Sequence, residues 1–61
     1  MKSFEHKDYL VILDYNHNGC LATAIGDNDY FKIQYQGYTD RQIKGRVKHQ
    51  IDYRIENGIT N

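Results

Sequence analysis

Asn18-Gly19 is the strongest turn signal in this 61-residue chain, and it constrains the fold more than any other feature. Both residues tolerate positive φ, which a two-residue type I′ hairpin turn requires. The run before it, Tyr9-Leu10-Val11-Ile12-Leu13-Asp14-Tyr15, is rich in aromatic and β-branched residues, as a strand entering a hairpin is. A turn at Asn18-Gly19 sets His17 opposite Cys20, Tyr15 opposite Ala22, Leu13 opposite Ala24 and Ile12 opposite Ile25.

A second turn is expected at Gly26-Asp27-Asn28-Asp29. Beyond it Phe31, Ile33 and Tyr35 alternate with Lys32, Gln34 and Gln36, the pattern of a half-buried strand. A two-residue loop at Asp27-Asn28 places Ala24 opposite Phe31 and Ala22 opposite Ile33. One face then collects Val11, Leu13, Tyr15, Ala22, Ala24, Phe31, Ile33 and Tyr35. The two alanines in mid-sheet leave room for a helix to approach closely.

That helix is signalled at its start. Thr39 is a capping residue, Gln42 stands three residues on as in a capping box, and Tyr38 with Ile43 has the spacing of a hydrophobic staple. Ile43, Val47, Ile51 and Ile55 recur every four residues, a stripe that drifts by about 40° per step on a 3.6-residue helix. Gly58 suits the left-handed position just past the end. The expected fold is therefore α+β: residues 1–61 as one small domain, a three-stranded antiparallel meander with strands near 8–15, 20–26 and 30–37, then one C-terminal helix near 39–57. Met1–His6 and Ile59–Asn61 read as loosely held ends.

A single core of this size rarely contributes more than roughly 3–5 kcal/mol net, so small proteins add disulfides, a metal or a partner subunit. Cys20 is the only cysteine, which excludes a disulfide within the chain. There is no basic segment leading into an apolar one at the N-terminus, and the apolar run Tyr9–Leu13 is too short to cross a bilayer. The expectation is a cytoplasmic protein with no membrane partner. Eight basic residues balance eight acidic ones, so no global charge argues for nucleic acid. The balance hides an asymmetry: residues 1–38 hold three basic and five acidic side chains, residues 39–61 five and three.

Candidate chemistry is sparse. His17 and Cys20 form an H-x-x-C pair of zinc-ligand types, but a site needs more ligands than two. The same pair read as base and nucleophile, with Asp14 as orienter, would need a water-excluding cleft that a hairpin tip seldom supplies. Asp27-Asn28-Asp29 is ordinary turn chemistry. No glycine-rich loop opens a helix, so no phosphate cradle is expected. No cofactor, metal or catalytic residue is assigned, and the expectation is a protein that is not an enzyme.

Binding surfaces are more legible. The register sends Leu10, Ile12, Asp14, Thr23, Ile25, Tyr30 and Lys32 to the sheet face that the one helix cannot cover. Leu10, Ile12, Ile25 and Tyr30 together make an apolar patch of the kind that marks an interaction site, unless the segment Lys2–Asp8 folds back over it. Six tyrosines exceed what so small a core needs, and Tyr9, Tyr30 and Tyr53 are the candidate contact residues. The helix face bearing Arg41, Lys44 and Lys48 is the one basic patch, a candidate for an acidic partner or phosphates. Its plainer reading is a solvated face with Asp40–Lys44 and Lys48–Asp52 pairs at i,i+4.

The order strand, Asn-Gly turn, A-T-A strand, strand, then Y-Q-G-Y-T-D-R-Q-I-K with a helix running into I-D-Y, resembles the N-terminal part of HicB-type antitoxins over residues 9–55. Such antitoxins cover a partner toxin's active site. The segment Phe31–Tyr35 through Ile43-Lys44 is also similar to small phage-encoded host-inhibitor proteins of the uracil-DNA glycosylase inhibitor type. Both resemblances imply a tiny stoichiometric binding protein, from a phage or mobile element and acting in the host cytoplasm. The expected function is to inhibit or modulate a larger host protein by occupying its surface, with a homodimer as a further expectation. The alternative is a small nucleic-acid-associated or antitoxin-like regulator using the basic helix face.

Overall fold

The strand-forming runs pair with their sequence neighbours. In a computed structural model, which describes residues 1–58, they build an antiparallel sheet of four strands in chain order: β1 (Lys2–His6), β2 (Tyr9–Asn16), β3 (Gly19–Ile25) and β4 (Tyr30–Tyr35). One helix, α1 (Asp40–Glu56), follows and packs on one face. The fold is α+β, as expected, with one strand more than the three read from sequence. The expected loose end Ile59–Asn61 lies outside the described residues.

The additional strand corrects the reading of Met1–His6 as loosely held. Lys2–His6 pairs in full with β2, from Lys2 opposite Leu13 to His6 opposite Tyr9. Phe4 supplies the reason, since it stands opposite Val11 and packs against the core. The hairpin is closed by Lys7 and Asp8, both left-handed at φ 47° and 70°, the combination a type I′ turn needs. β1 extends the sheet sideways, and the segment does not fold over the open face.

The β2–β3 turn is also corrected. Asn16 stands opposite Gly19 and Tyr15 opposite Cys20, so the two loop residues are His17 and Asn18. The Asn16 side chain starts the turn earlier by accepting the Asn18 N–H at 2.8 Å, and the positive φ falls on Gly19 alone, at 110°. The slip amounts to two residues, and side chains alternate faces with period two, so every face assignment survives it. The β3–β4 register is as expected, with Ala24 opposite Phe31 and Ala22 opposite Ile33. The Gly26 N–H donates to the Asp29 carbonyl across that loop at 2.8 Å.

The core is one cluster. Val11, Leu13, Cys20, Ala22, Ala24 and Tyr35 from the sheet meet Ile43, Val47 and Ile51 from α1, with Phe4, Phe31 and Ile33 packed at its margins. Ile55, last of the four-residue stripe, has drifted round by about 120° from Ile43 and is exposed. The capping box forms as read: Thr39 Oγ1 accepts the Gln42 N–H at 3.2 Å, and the Thr39 N–H donates to Gln42 Oε1 at 2.9 Å. Gly58 is left-handed at φ 70° just past the helix.

Candidate functional site: the open sheet face

Alternation alone dictates which side chains the sheet turns away from α1, and the register aligns them in rows across the strands. One row runs Glu5, Leu10, Ile25, Tyr30; the next runs Ser3, Ile12, Thr23, Lys32. Directly opposed side chains lie within contact range of one another, so Leu10, Ile25 and Tyr30 form a continuous apolar band with Ile12 beside it. Leu10 and Ile25 are each 40% exposed and Tyr30 57%. Charged or polar residues fringe the band: Glu5 and Ser3 on β1, Lys32 on β4, Asp14 beyond Ile12. The Lys32 ammonium stands 5.8 Å from the Tyr30 ring centre and holds that ring at the edge of the patch. An apolar centre with a polar fringe is the anatomy of a protein-binding surface.

Four of the sequence-derived candidates, Leu10, Ile12, Ile25 and Tyr30, are thus brought together. Two are not. Tyr9, read as a contact residue, is a core residue at 4% exposure, because it shares the parity of Val11 and Leu13 and so points toward α1. That parity was legible in the sequence. The Tyr9 hydroxyl donates to Asp29 Oδ2 at 2.7 Å; burial first, then this hydrogen bond, pushes its pKa up to about 12. Tyr53 is exposed, but α1 carries it on the far side of the sheet from the band.

Around α1, three carboxylates bind helix to sheet. Asp40 Oδ2 meets Lys2 Nζ at 2.5 Å, and Asp40 Oδ1 accepts from the Tyr15 hydroxyl. Asp52 Oδ1 meets His6 Nε2 at 2.8 Å and Lys7 Nζ at 3.0 Å. Asp29, in the β3–β4 loop, meets Arg54. These partners depress all three carboxyl pKa values: Lys2 chiefly for Asp40, His6 for Asp52, and Arg54 for Asp29, which is held at about 2. The expected Asp40–Lys44 and Lys48–Asp52 pairs are therefore not made, their carboxylates being engaged by β1 instead. Lys44 and Lys48 stand with their ammonium groups 5.9 and 5.7 Å from the Phe4 ring centre, and with Arg41 they are in no ion pair among the described residues.

The nucleophile reading is not assembled. Cys20 is buried against α1, Asp14 lies on the opposite face, and His17 is exposed at the loop tip. Burial pushes the Cys20 thiol pKa up, away from the thiolate that attack would need. No cluster of three or more metal-ligating side chains occurs among the described residues, and no helix there is long and apolar enough to cross a membrane.

Comparisons with protein-family models, curated proteins and solved structures give no match for this chain. The resemblance to HicB-type antitoxins and to small inhibitors therefore rests on the sequence segments quoted above alone.

Proposed function

We propose that this chain is a small non-enzymatic protein-binding module that inhibits or modulates a larger protein by occupying part of its surface, with the open sheet face as the contact. The observation that carries the reading is the unbroken Leu10–Ile25–Tyr30 row with Ile12 beside it, apolar, solvent-facing and borne on a sheet whose other face is the core. A sheet backed by a packed helix is rigid, so little ordering entropy opposes binding, and Tyr30 is an aromatic anchor of the type that concentrates binding energy. A host partner, with the protein acting in the cytoplasm of a phage-bearing or element-bearing cell, belongs to the same proposal. So does self-association through this face.

The test is capture of partners from a lysate by the wild-type chain and by Ile12→Asp, with sedimentation of both alone. Loss of the partner with Ile12→Asp supports the assignment; undiminished capture refutes it. A second reading has its own observation, since the carboxylates that would have neutralised Lys44 and Lys48 are engaged elsewhere. That leaves Arg41, Lys44 and Lys48 available to phosphates. Binding of nucleic acid by that face would weaken steeply with salt, whereas an apolar sheet contact would not.

A further inference from the structure

A groove of about 580 Å³ runs between β4 and α1, at the edge of the sheet remote from β1. Ile33 and Tyr35 line it from the strand; Gln42, Arg46, His49 and Gln50 line it from one stripe of the helix, at i, i+4, i+7 and i+8. Three observations bear on what fits there.

The first is the edge. Among the described residues β4 pairs only with β3, so alternate residues direct unpaired backbone N–H and C=O groups outward beside the groove. The second is charge. Among the described residues no carboxylate lines the groove, while Arg46 does; its guanidinium is stacked 4.4 Å from the Tyr38 ring centre and has no ion pair there. The nearby helix carboxylates are engaged on the β1 side, and Asp29 holds Arg54. The third is Gly45, exposed on the groove's wall in mid-helix. A glycine there weakens the helix, its φ is not positive, and among the described residues nothing lies within 4 Å of the position a Cβ would take. The chain's own packing does not ask for it, whereas an incoming backbone would.

We infer that this groove receives an extended, acidic peptide segment of a partner protein, which adds as a strand to β4, sets a carboxylate on the Arg46 guanidinium and passes close over Gly45. Strand addition beside a helix gives affinity through main-chain hydrogen bonds and selectivity through the side chains that enter the groove. A two-pronged guanidinium–carboxylate contact is the strongest polar interaction this lining can make. The site is separate from the open sheet face and stands or falls independently of it.

The test uses the full chain and a capped peptide of six residues, the length of β4, alternating Glu and Val. Its controls are the Lys/Val counterpart and a Glu/Val peptide N-methylated at alternate residues. Titration followed by amide shifts is expected to perturb Ile33–Tyr35 and Arg46–His49 with Glu/Val. Arg46→Glu is expected to weaken that binding at least about tenfold, the scale of one charge-assisted contact, and to favour Lys/Val. Gly45→Leu is expected to abolish it with the circular dichroism unchanged, and Ile12→Asp to leave it intact. The inference is overturned by no perturbation at millimolar peptide, by equal binding of Glu/Val and Lys/Val, or by undiminished binding of the N-methylated peptide. It is overturned equally if the β4 edge is occupied by a second copy of the chain on concentration, or if oligothymidylate takes the groove in preference to the peptide.

Discussion

Arg54 grips Asp29 through two nitrogens, Nε at 2.5 Å from Oδ2 and Nη2 at 3.1 Å from Oδ1, and so fastens the last full turn of α1 to the loop between β3 and β4. Asp29 also accepts from the Tyr9 hydroxyl at 2.7 Å and from the Tyr30 N–H at 2.9 Å. The Arg54 guanidinium lies 4.4 Å from the Phe31 ring centre, which shields the pair from one side. One carboxylate thus joins three elements, and its charge is what they share.

Asp29→Asn keeps the shape and removes the charge. It is expected to cost about 1–3 kcal/mol, the scale for weakening a hydrogen-bonded charged group, and each kcal/mol lowers the melting temperature of a domain this size by about 4–8 °C. The acid limb follows from the same contact. The folded pKa of about 2 lies below the ordinary carboxylate value, so this stabilisation is complete above roughly pH 4 and is lost as pH falls toward 2. Asp40 and Asp52 are shifted in the same direction and add to the loss. Thermal melts from pH 5 to pH 2 should show a steep decline in the wild type and a shallower one in Asp29→Asn.

Three tyrosine hydroxyls are expected to ionise late. Tyr9 and Tyr15 are both pushed up to about 12, Tyr9 chiefly by burial and Tyr15 chiefly by its hydrogen bond to Asp40; burial raises Tyr35 as well. A folded pKa above the unfolded one means stability is intact below pH 10 and declines as pH rises toward 12. Absorbance titration of tyrosinate should show part of the six-tyrosine signal delayed, and the delay should vanish in denaturant.

Val11 and Ile12 are adjacent in sequence and on opposite faces. Val11→Asp puts an unpaired charge into the core and should prevent folding, whereas Ile12→Asp should leave a folded chain with stability lowered by less than about 1.5 kcal/mol. Circular dichroism and urea melts of the two variants check the face assignment directly. Equal damage from both would mean that the open face is covered.

Two glycines should respond to alanine with opposite signs. At Gly19, φ of 110° and a Cβ position 2.1 Å from the Tyr35 carbonyl oxygen make Gly19→Ala destabilising, by about 2 kcal/mol or more. At Gly45 the helix is regular and the space open, so Gly45→Ala should stabilise by roughly 0.5–1 kcal/mol. Urea denaturation of both variants measures this.

What could be read from the chain was what alternation and capping encode. The Phe31, Ile33, Tyr35 alternation and the Thr39-to-Gln42 box each name their own structure, and the open-face band follows from parity once β2 and β3 are paired. β1 was not legible because its hairpin turns at Lys7-Asp8, residues that enter the left-handed region only when pairing on both sides holds them there. The position of the β2–β3 turn is not decided locally because Asn16 and Asn18-Gly19 compete for it, and the packing of Gly19 against the Tyr35 carbonyl and the donation from Gln34 Nε2 to the Asn18 carbonyl decide between them. The ion pairs from β1 to α1 span 38 to 46 positions, a separation at which spacing rules carry no information.

Chain-order pairing of the strands has a kinetic consequence. Each strand need find only its predecessor across a short loop, so the sheet can grow by successive hairpins at small loop-closure cost, the circumstance in which small domains fold fast. The contacts that close the longest loops are those of α1, which reaches back to Lys2 and His6. Folding of this protein should therefore look like one committed step, the arrival of the helix on a sheet that has been flickering into place without it.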